Sequence, residues 1–287
     1  MARLHGRLAT LCELLRLPNL FTVPGDVLVG WCLSGQRGGP PVLAVAASLC
    51  LYAGGLLLND ACDAGVDAVE RPQRPIPSGR IGRGTVLALA ALCFGAGVLA
   101  AWSGWRAAVA LLAAIVAYDA VAKHIPGVGV ATMGLCRGLN VWLGVACSWP
   151  AGEMPWPPMV WAASGFFFVY ITVVSVVARN EAQPKAKIRP WLRWLPMGLA
   201  LATAPLFRWF GYGPYWPSLA AAGALLPLTL ARRLVIPRLV AGLIRFLVPL
   251  QLLWCLQGLP PGAYGLPALL LGLWAGAWIA SGRFEGS

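Results

Sequence analysis

The chain has 287 residues, of which 59% are hydrophobic and only 11% are charged, and its mean hydropathy is +0.73. A water-soluble domain carries about 25% charged residues, so the composition excludes a soluble globular enzyme and points to a polytopic helical membrane protein. The formal net charge is +12, and its placement along the chain accounts for it without a nucleic-acid partner.

Residues 3–16 alternate Arg3 and Arg7 with Leu4, Leu8, Leu11 and Leu15. This pattern predicts a short amphipathic helix over residues 1–16, lying on the membrane surface. A cleaved signal is not expected, because the apolar run that follows holds Pro18, Pro24 and Asp26 and offers no clear cleavage site. Asp26 is a candidate pocket group, or else marks a helix break made by Pro24 and Gly25.

Ten apolar segments follow, read as membrane helices. They run Leu17–Leu33, Val42–Leu58, Val86–Trp102, Ala107–Ala122, Val128–Ser148, Met159–Val177, Trp191–Phe207, Pro217–Leu230, Leu239–Gln257 and Tyr264–Ala280. Leu239–Gln257 is the doubtful one: it carries Arg245 and begins after Arg232, Arg233 and Arg238. The expectation is one all-α domain over residues 1–287, a polytopic membrane helical bundle.

Alternate connections between these segments hold 17 of the 22 basic residues, while the opposite connections hold only Arg37, Arg106 and Arg208. The positive-inside rule makes the rich face cytoplasmic, so both termini are expected in the cytoplasm. Basic loops against an anionic leaflet explain the net charge. Trp102 with Trp105, Trp149 with Trp156, and Trp209 with Trp216 bracket turns on the poor face and read as an interfacial belt. The eight Cys are scattered with no C-x-x-C pair, and read as small apolar residues of packed helices.

The second segment runs into Asn59-Asp60-Ala61-Cys62-Asp63-Ala64-Gly65-Val66-Asp67, which holds three of the chain's ten acidic residues. Asn59, Asp63 and Asp67 are spaced i, i+4, i+8, one ladder on one helix face; Asp60 is expected to point elsewhere, behind it. Acids beside lipid are costly without a partner, and a row of oxygen ligands suits a hard cation such as Mg²⁺. The next loop supplies Arg71, Arg74 and Arg80, whose guanidinium forks match phosphate oxygens. Ladder and loop together read as a metal–diphosphate site. The bland alternative is a helix ending in a solvated charged loop.

The fourth segment ends Tyr118-Asp119-Ala120-Val121-Ala122-Lys123-His124. The Lys123 ammonium either reaches a phosphate as a point charge or snorkels to the interface. In the fifth segment Arg137 and Asn140 are i, i+3 and share a face. An Arg at that depth should face a cavity, holding a diphosphate oxygen or a polar acceptor, or else pair structurally with Asp119 or Asp26. The sixth segment ends Ser175-Val176-Val177-Ala178-Arg179-Asn180-Glu181.

The pattern N-D-x-x-D-x-x-x-D followed by E-R-P-x-R-P-I-P-S-G, from Asn59 to Gly79, resembles the first signature of the UbiA superfamily of intramembrane prenyltransferases. Arg16-Leu17-Pro18-Asn19-Leu20-Phe21-Thr22 is similar to that family's first-helix start, and Tyr118 with Lys123 to its Y-x4-K element. The chain looks closest to the EboC-like branch. The resemblance implies nine helices, hence nine to ten here, around a central cavity opening to the cytoplasmic side. It implies Mg²⁺-dependent transfer of an isoprenyl group from an allylic diphosphate to a small or aromatic acceptor. Asn59, Asp63 and Asp67 would hold the metal, with Lys123 and Arg179 acting on the diphosphate. Arg16, Asp60, Arg71, Arg74, Tyr118, Arg137, Asn140 and Glu181 would contact substrates, Arg16 near the acceptor.

One departure matters. The family's second signature is D-x-x-x-D, and this chain has Ser175 and Arg179 at that spacing, with Glu181 the remaining acid. Arg179 then either replaces a metal's charge or marks a different substrate or lost catalysis. Three other readings therefore stay open: a terpene cyclase on the same scaffold, a non-enzymatic lipid carrier or export subunit, and a CDP-alcohol phosphotransferase, whose A-R element and later acid pair are missing. Donor chain length, acceptor identity and oligomeric state are not legible in the sequence.

Overall fold

Gly and Pro cut the apolar sequence into helices whose lengths set the architecture. The computed structural model describes residues 9–35, 41–149, 153, 156–179, 190–213, 216–230, 236–259 and 265–284, and no strand occurs among them. The chain is helical over 9–14, the described part of the expected amphipathic helix. Twelve helices follow: α1 (Leu17–Leu20), α2 (Pro24–Leu33), α3 (Val42–Glu70), α4 (Arg83–Ala100), α5 (Trp105–Ala120) and α6 (Val128–Ala146), then α7 (Pro158–Ala178), α8 (Pro190–Trp209), α9 (Trp216–Leu230), α10 (Ile236–Arg245), α11 (Leu247–Gly258) and α12 (Gly265–Phe284).

Among the described residues six segments are long and apolar enough to cross a membrane: Val42–Glu70, Arg83–Ala100, Trp102–Ala120, Val128–Ala146, Pro158–Ala178 and Ile236–Gly258. Three shorter apolar stretches, Leu17–Leu33, Pro217–Leu230 and Gly265–Ser281, accompany them. Of the two readings of Asp26, a helix break at Pro24 is present. Pro24 opens α2, where its missing N–H costs nothing, and Asp26 lies in that first turn. The doubtful segment is among the six. It is one apolar stretch interrupted at Phe246, because Pro249 has no N–H to give the Arg245 carbonyl four residues earlier.

α3 is the longest element, with 29 residues. At 1.5 Å per residue it measures about 44 Å, against roughly 30 Å for the hydrocarbon layer. It is therefore longer than that layer needs, and its last turns carry Asp63 and Asp67 past it, with Asn59 at its edge. α6 is held close against α2. A Cβ on Gly30 would collide with the Val141 carbonyl, and one on Gly144 with the Val27 carbonyl. Only glycine allows this approach, and it brings the polar residues of α2 and α6 within bonding distance. The largest core cluster gathers Phe166, Phe167 and Tyr170 of α7, Phe207 of α8 and Trp254 of α11.

Candidate active site

A cavity of about 940 Å³ lies among these helices, lined by residues of α1, α3, α5, α6, α7, α10 and the 71–74 loop. Three levels of wall differ in chemistry.

The mouth is ionic. Asp63 and Asp67 lie one turn apart on α3, yet each takes its own cation. Lys123 Nζ sits 2.6 Å from Asp63 Oδ1 and 3.5 Å from Asp119 Oδ1. Asn59 Nδ2 donates to the same Asp119 oxygen at 2.8 Å. On the other side Arg74 Nη1 donates to Asp67 Oδ2 at 3.0 Å and to Asp60 Oδ1 at 3.3 Å. Arg16 Nη2 adds a bond to Asp60 at 3.3 Å. The 71–81 loop is tied to the N-terminal helix by Arg80, whose Nη1 and Nη2 donate to Glu13 at 2.6 and 3.0 Å. At Lys123, burial alone would lower the pKa, but the bond and charge of Asp63, with Asp119 beside it, hold it above the ordinary lysine value.

Below the mouth the wall is apolar, with Leu56, Leu111, Ile115, Ile171 and Val174. At the floor it becomes polar again. Asp26 is fully buried, and it accepts from Arg137 Nη1 at 2.8 Å, Asn140 Nδ2 at 3.1 Å and Gln251 Nε2 at 2.7 Å. Arg137 Nη2 also donates to Thr22 Oγ1 at 3.0 Å, and Ser48 Oγ to Asn140 Oδ1 at 2.7 Å. The guanidinium stands 5.5 Å from the Tyr52 ring centroid.

Most of the expected site residues meet here. Asn59, Arg16, Arg71, Arg74, Tyr118, Arg137 and Asn140 line the cavity, while Asp60, Asp63, Asp67 and Lys123 form the ion pairs at its rim. Asp60 does not point elsewhere. It lies seven residues from Asp67, about 20° away on a helix, and both take Arg74. Arg137 is committed to Asp26, not to Asp119. Arg179 is exposed at the end of α7, and the cavity wall there is made by Ser175 and Ala178. Glu181 lies outside the described residues. Asp119, Ser48 and Tyr52 were not expected at the site; Asp119 was legible in principle, four residues before Lys123 on one helix face.

The expected metal set has one amide and two carboxylates, and its partners divide it: Asn59 and Asp63 face Asp119 and Lys123, while Asp67 faces Arg74. Among the described residues no three His, Cys, Asp or Glu side chains gather about one point. The ladder splits instead into Asn59 with Asp63 and Asp60 with Asp67. That donor chemistry still fits Mg²⁺, which binds through one or two carboxylates and completes its shell with phosphate oxygens and water.

The profile of the UbiA prenyltransferase family matches residues 26–183. A digeranylgeranylglyceryl phosphate synthase of Natronomonas pharaonis is 35% identical over 152 residues, 51% of this chain and 53% of that enzyme. The chain thus spans about half the length of that relative. The synthase of Methanopyrus kandleri is 31% identical over 207 residues, 68% of this chain and 73% of that enzyme. These relatives do not point to the expected EboC-like branch. Among solved structures, a UbiA homolog from Aeropyrum pernix K1 superposes with a TM-score of 0.63 at 15% identity, over 80% of this chain and 94% of that one. A UbiA homolog from Archaeoglobus fulgidus bound to DMAPP and Mg²⁺ has a TM-score of 0.53 at 15% identity, over 97% and 100%. Fold, ionic rim and family profile agree, and the chain belongs to the UbiA prenyltransferase family.

Proposed function

We propose that this chain is an integral-membrane prenyltransferase, moving an isoprenyl group from an allylic diphosphate to a small acceptor with Mg²⁺. The observation that carries this is the cavity itself: paired acids and cations at the rim, an apolar wall below. The ligands of the Archaeoglobus fulgidus homolog support the donor and the metal. The relatives' names support an acceptor of glyceryl phosphate type over an aromatic one.

Asn59 with Asp63, and Asp60 with Asp67, would hold Mg²⁺. Bound there, the metal supplies positive charge that stabilises the leaving diphosphate. The chain's own groups do the rest. Arg74 and Lys123, now neutralising carboxylates, turn to phosphate oxygens, and Arg71 joins them from the loop. The apolar wall shields the developing allylic cation from water and seats the prenyl chain. Arg137, fixed by Asp26, presents a rigid polar floor.

The basic asymmetry of the loops supports a multi-pass protein of the cell membrane with both termini and the ionic rim facing the cytoplasm. Labelling of a cysteine placed at Ser78 from the cytoplasmic side supports this orientation, and labelling only from outside rejects it. For the activity, purified protein should release diphosphate from an allylic diphosphate in the presence of Mg²⁺. No release with any donor would leave a carrier as the better account.

A further inference from the structure

Six helices close a ring around the cavity. In packing order they are α3, α5, α6, α7, α10 and α1, which returns to α3. The neighbours α3 and α5 therefore stand across the cavity from the neighbours α7 and α10, with α6 between them on one side and α1 on the other. The two walls differ in chemistry at the mouth, where α3, α5 and α7 finish and α10 begins. α3 brings Asp60, Asp63 and Asp67, and α5 brings Asp119. Facing them, α7 presents Ser175 and Ala178, and α10 presents Pro237 and Arg238. Among the described residues no carboxylate lines that second wall, and Arg238 is exposed with no ion pair or hydrogen bond.

The charges at the mouth balance before any substrate arrives. Asp60, Asp63, Asp67 and Asp119 are paired with Arg16, Arg74 and Lys123, and Arg71 lines the cavity as a fourth base. Glu13 is matched by Arg80. Arg238 is then one positive charge over. An allylic diphosphate brings about three negative charges at neutral pH. One Mg²⁺ together with Arg238 matches them. Two Mg²⁺ would leave two positive charges uncompensated beside an apolar layer, where unpaired charge is costly. A second Mg²⁺ would also find no carboxylate on the α7–α10 wall, and this cation is held through one or two carboxylates.

We infer that the donor diphosphate is held with a single Mg²⁺ on the α3–α5 wall, and that Arg238, reaching from the α7–α10 wall, supplies the remaining positive charge to its phosphate oxygens. The inference rests on the proposed transferase reading and deepens it at the same site. A guanidinium suits this place. It stays charged at any physiological pH, its fork takes two phosphate oxygens at once, and its exposed stem is free to follow the ligand.

The test saturates purified protein with geranyl or geranylgeranyl thiodiphosphate, in which sulfur replaces the bridging oxygen and turnover is blocked. Mn²⁺ stands in for Mg²⁺ and is counted by equilibrium dialysis. The inference predicts one Mn²⁺ per bound thiodiphosphate; two, or none, overturns it. At saturating Mn²⁺, Arg238→Gln should weaken the thiodiphosphate about tenfold or more, and further Mn²⁺ should not restore it. Arg238→Lys keeps the charge and should stay within about threefold of wild type. Arg208→Gln removes an exposed base that lies off the cavity, and should stay within about twofold. Wild-type affinity in Arg238→Gln, its recovery with added Mn²⁺, or a loss in Arg238→Lys as large as in Arg238→Gln overturns the role of Arg238. An equal loss in Arg208→Gln overturns it too, by making the effect one of overall charge. Failure of the wild type to bind either thiodiphosphate at any Mn²⁺ concentration is a different result: it removes the transferase reading, and this inference with it.

Discussion

Lys123 Nζ lies 2.6 Å from Asp63 Oδ1, joining the end of the fourth apolar segment to the α3 acid ladder across 60 positions of sequence. The contact makes one rim from two motifs that the sequence presents separately. It also shows how Asp60, Asp63 and Asp67 are kept next to an apolar layer: each is paired with a base.

The first prediction concerns those acids. Asp63→Asn and Asp67→Asn should each lower Mg²⁺-dependent diphosphate release tenfold or more, about 1.4 kcal/mol of transition-state stabilisation. Helical content and elution as a folded species should be retained, since both residues sit beyond the apolar part of α3. Undiminished turnover in both would remove them from the site.

Much of this was legible beforehand, and the reasons differ by residue. The i, i+4, i+8 spacing gave the ladder, because one helix fixes those angles. The i, i+4, i+8 row leaves Asp60 out, but its i+7 relation to Asp67 puts both carboxylates on Arg74. The Asp26–Arg137 bond, which spans 111 positions, was one of two pairings the sequence left open; the choice depends on the glycine contacts between α2 and α6, which no local pattern reports. The charge of Arg245 made its segment doubtful; the cavity that accepts the guanidinium exists only once α10 and α12 are packed.

The floor of the cavity gives the second prediction. Asp26→Ala strands a buried guanidinium, so it should cost about 3–5 kcal/mol of stability. A lowered thermal midpoint in detergent measures it. The double variant Asp26→Leu with Arg137→Met, which buries no charge, should be more stable than Asp26→Ala. Equal stability of Asp26→Ala and wild type would mean that the pair does not carry this part of the fold.

A pH profile checks the third. The Lys123 pKa is raised in the folded protein, so the stabilising effect of its pairs with Asp63 and Asp119 is fully present below the ordinary lysine value. It is lost only as pH rises through the higher folded value. Wild-type stability should fall at the alkaline end more than that of Lys123→Met. An identical alkaline fall in both proteins would show that Lys123 is not held charged by these acids.

Arg179 supplies the fourth. It stands at the spacing where the family signature has an acid, but it is exposed and off the cavity wall. Arg179→Lys should therefore keep turnover within about twofold, an effect under ~0.5 kcal/mol as for other surface positions. A loss of tenfold or more that added Mg²⁺ does not restore would instead place this guanidinium on the diphosphate.

The most direct test of the transferase account is mass spectrometry of products after purified protein is incubated with Mg²⁺, a panel of isoprenyl diphosphates and candidate acceptors led by glyceryl phosphates. The account predicts a prenylated acceptor formed in step with diphosphate release, and neither in Asp63→Asn. Diphosphate release with only a cyclised hydrocarbon or alcohol from the donor itself, or no release with any donor, would contradict it.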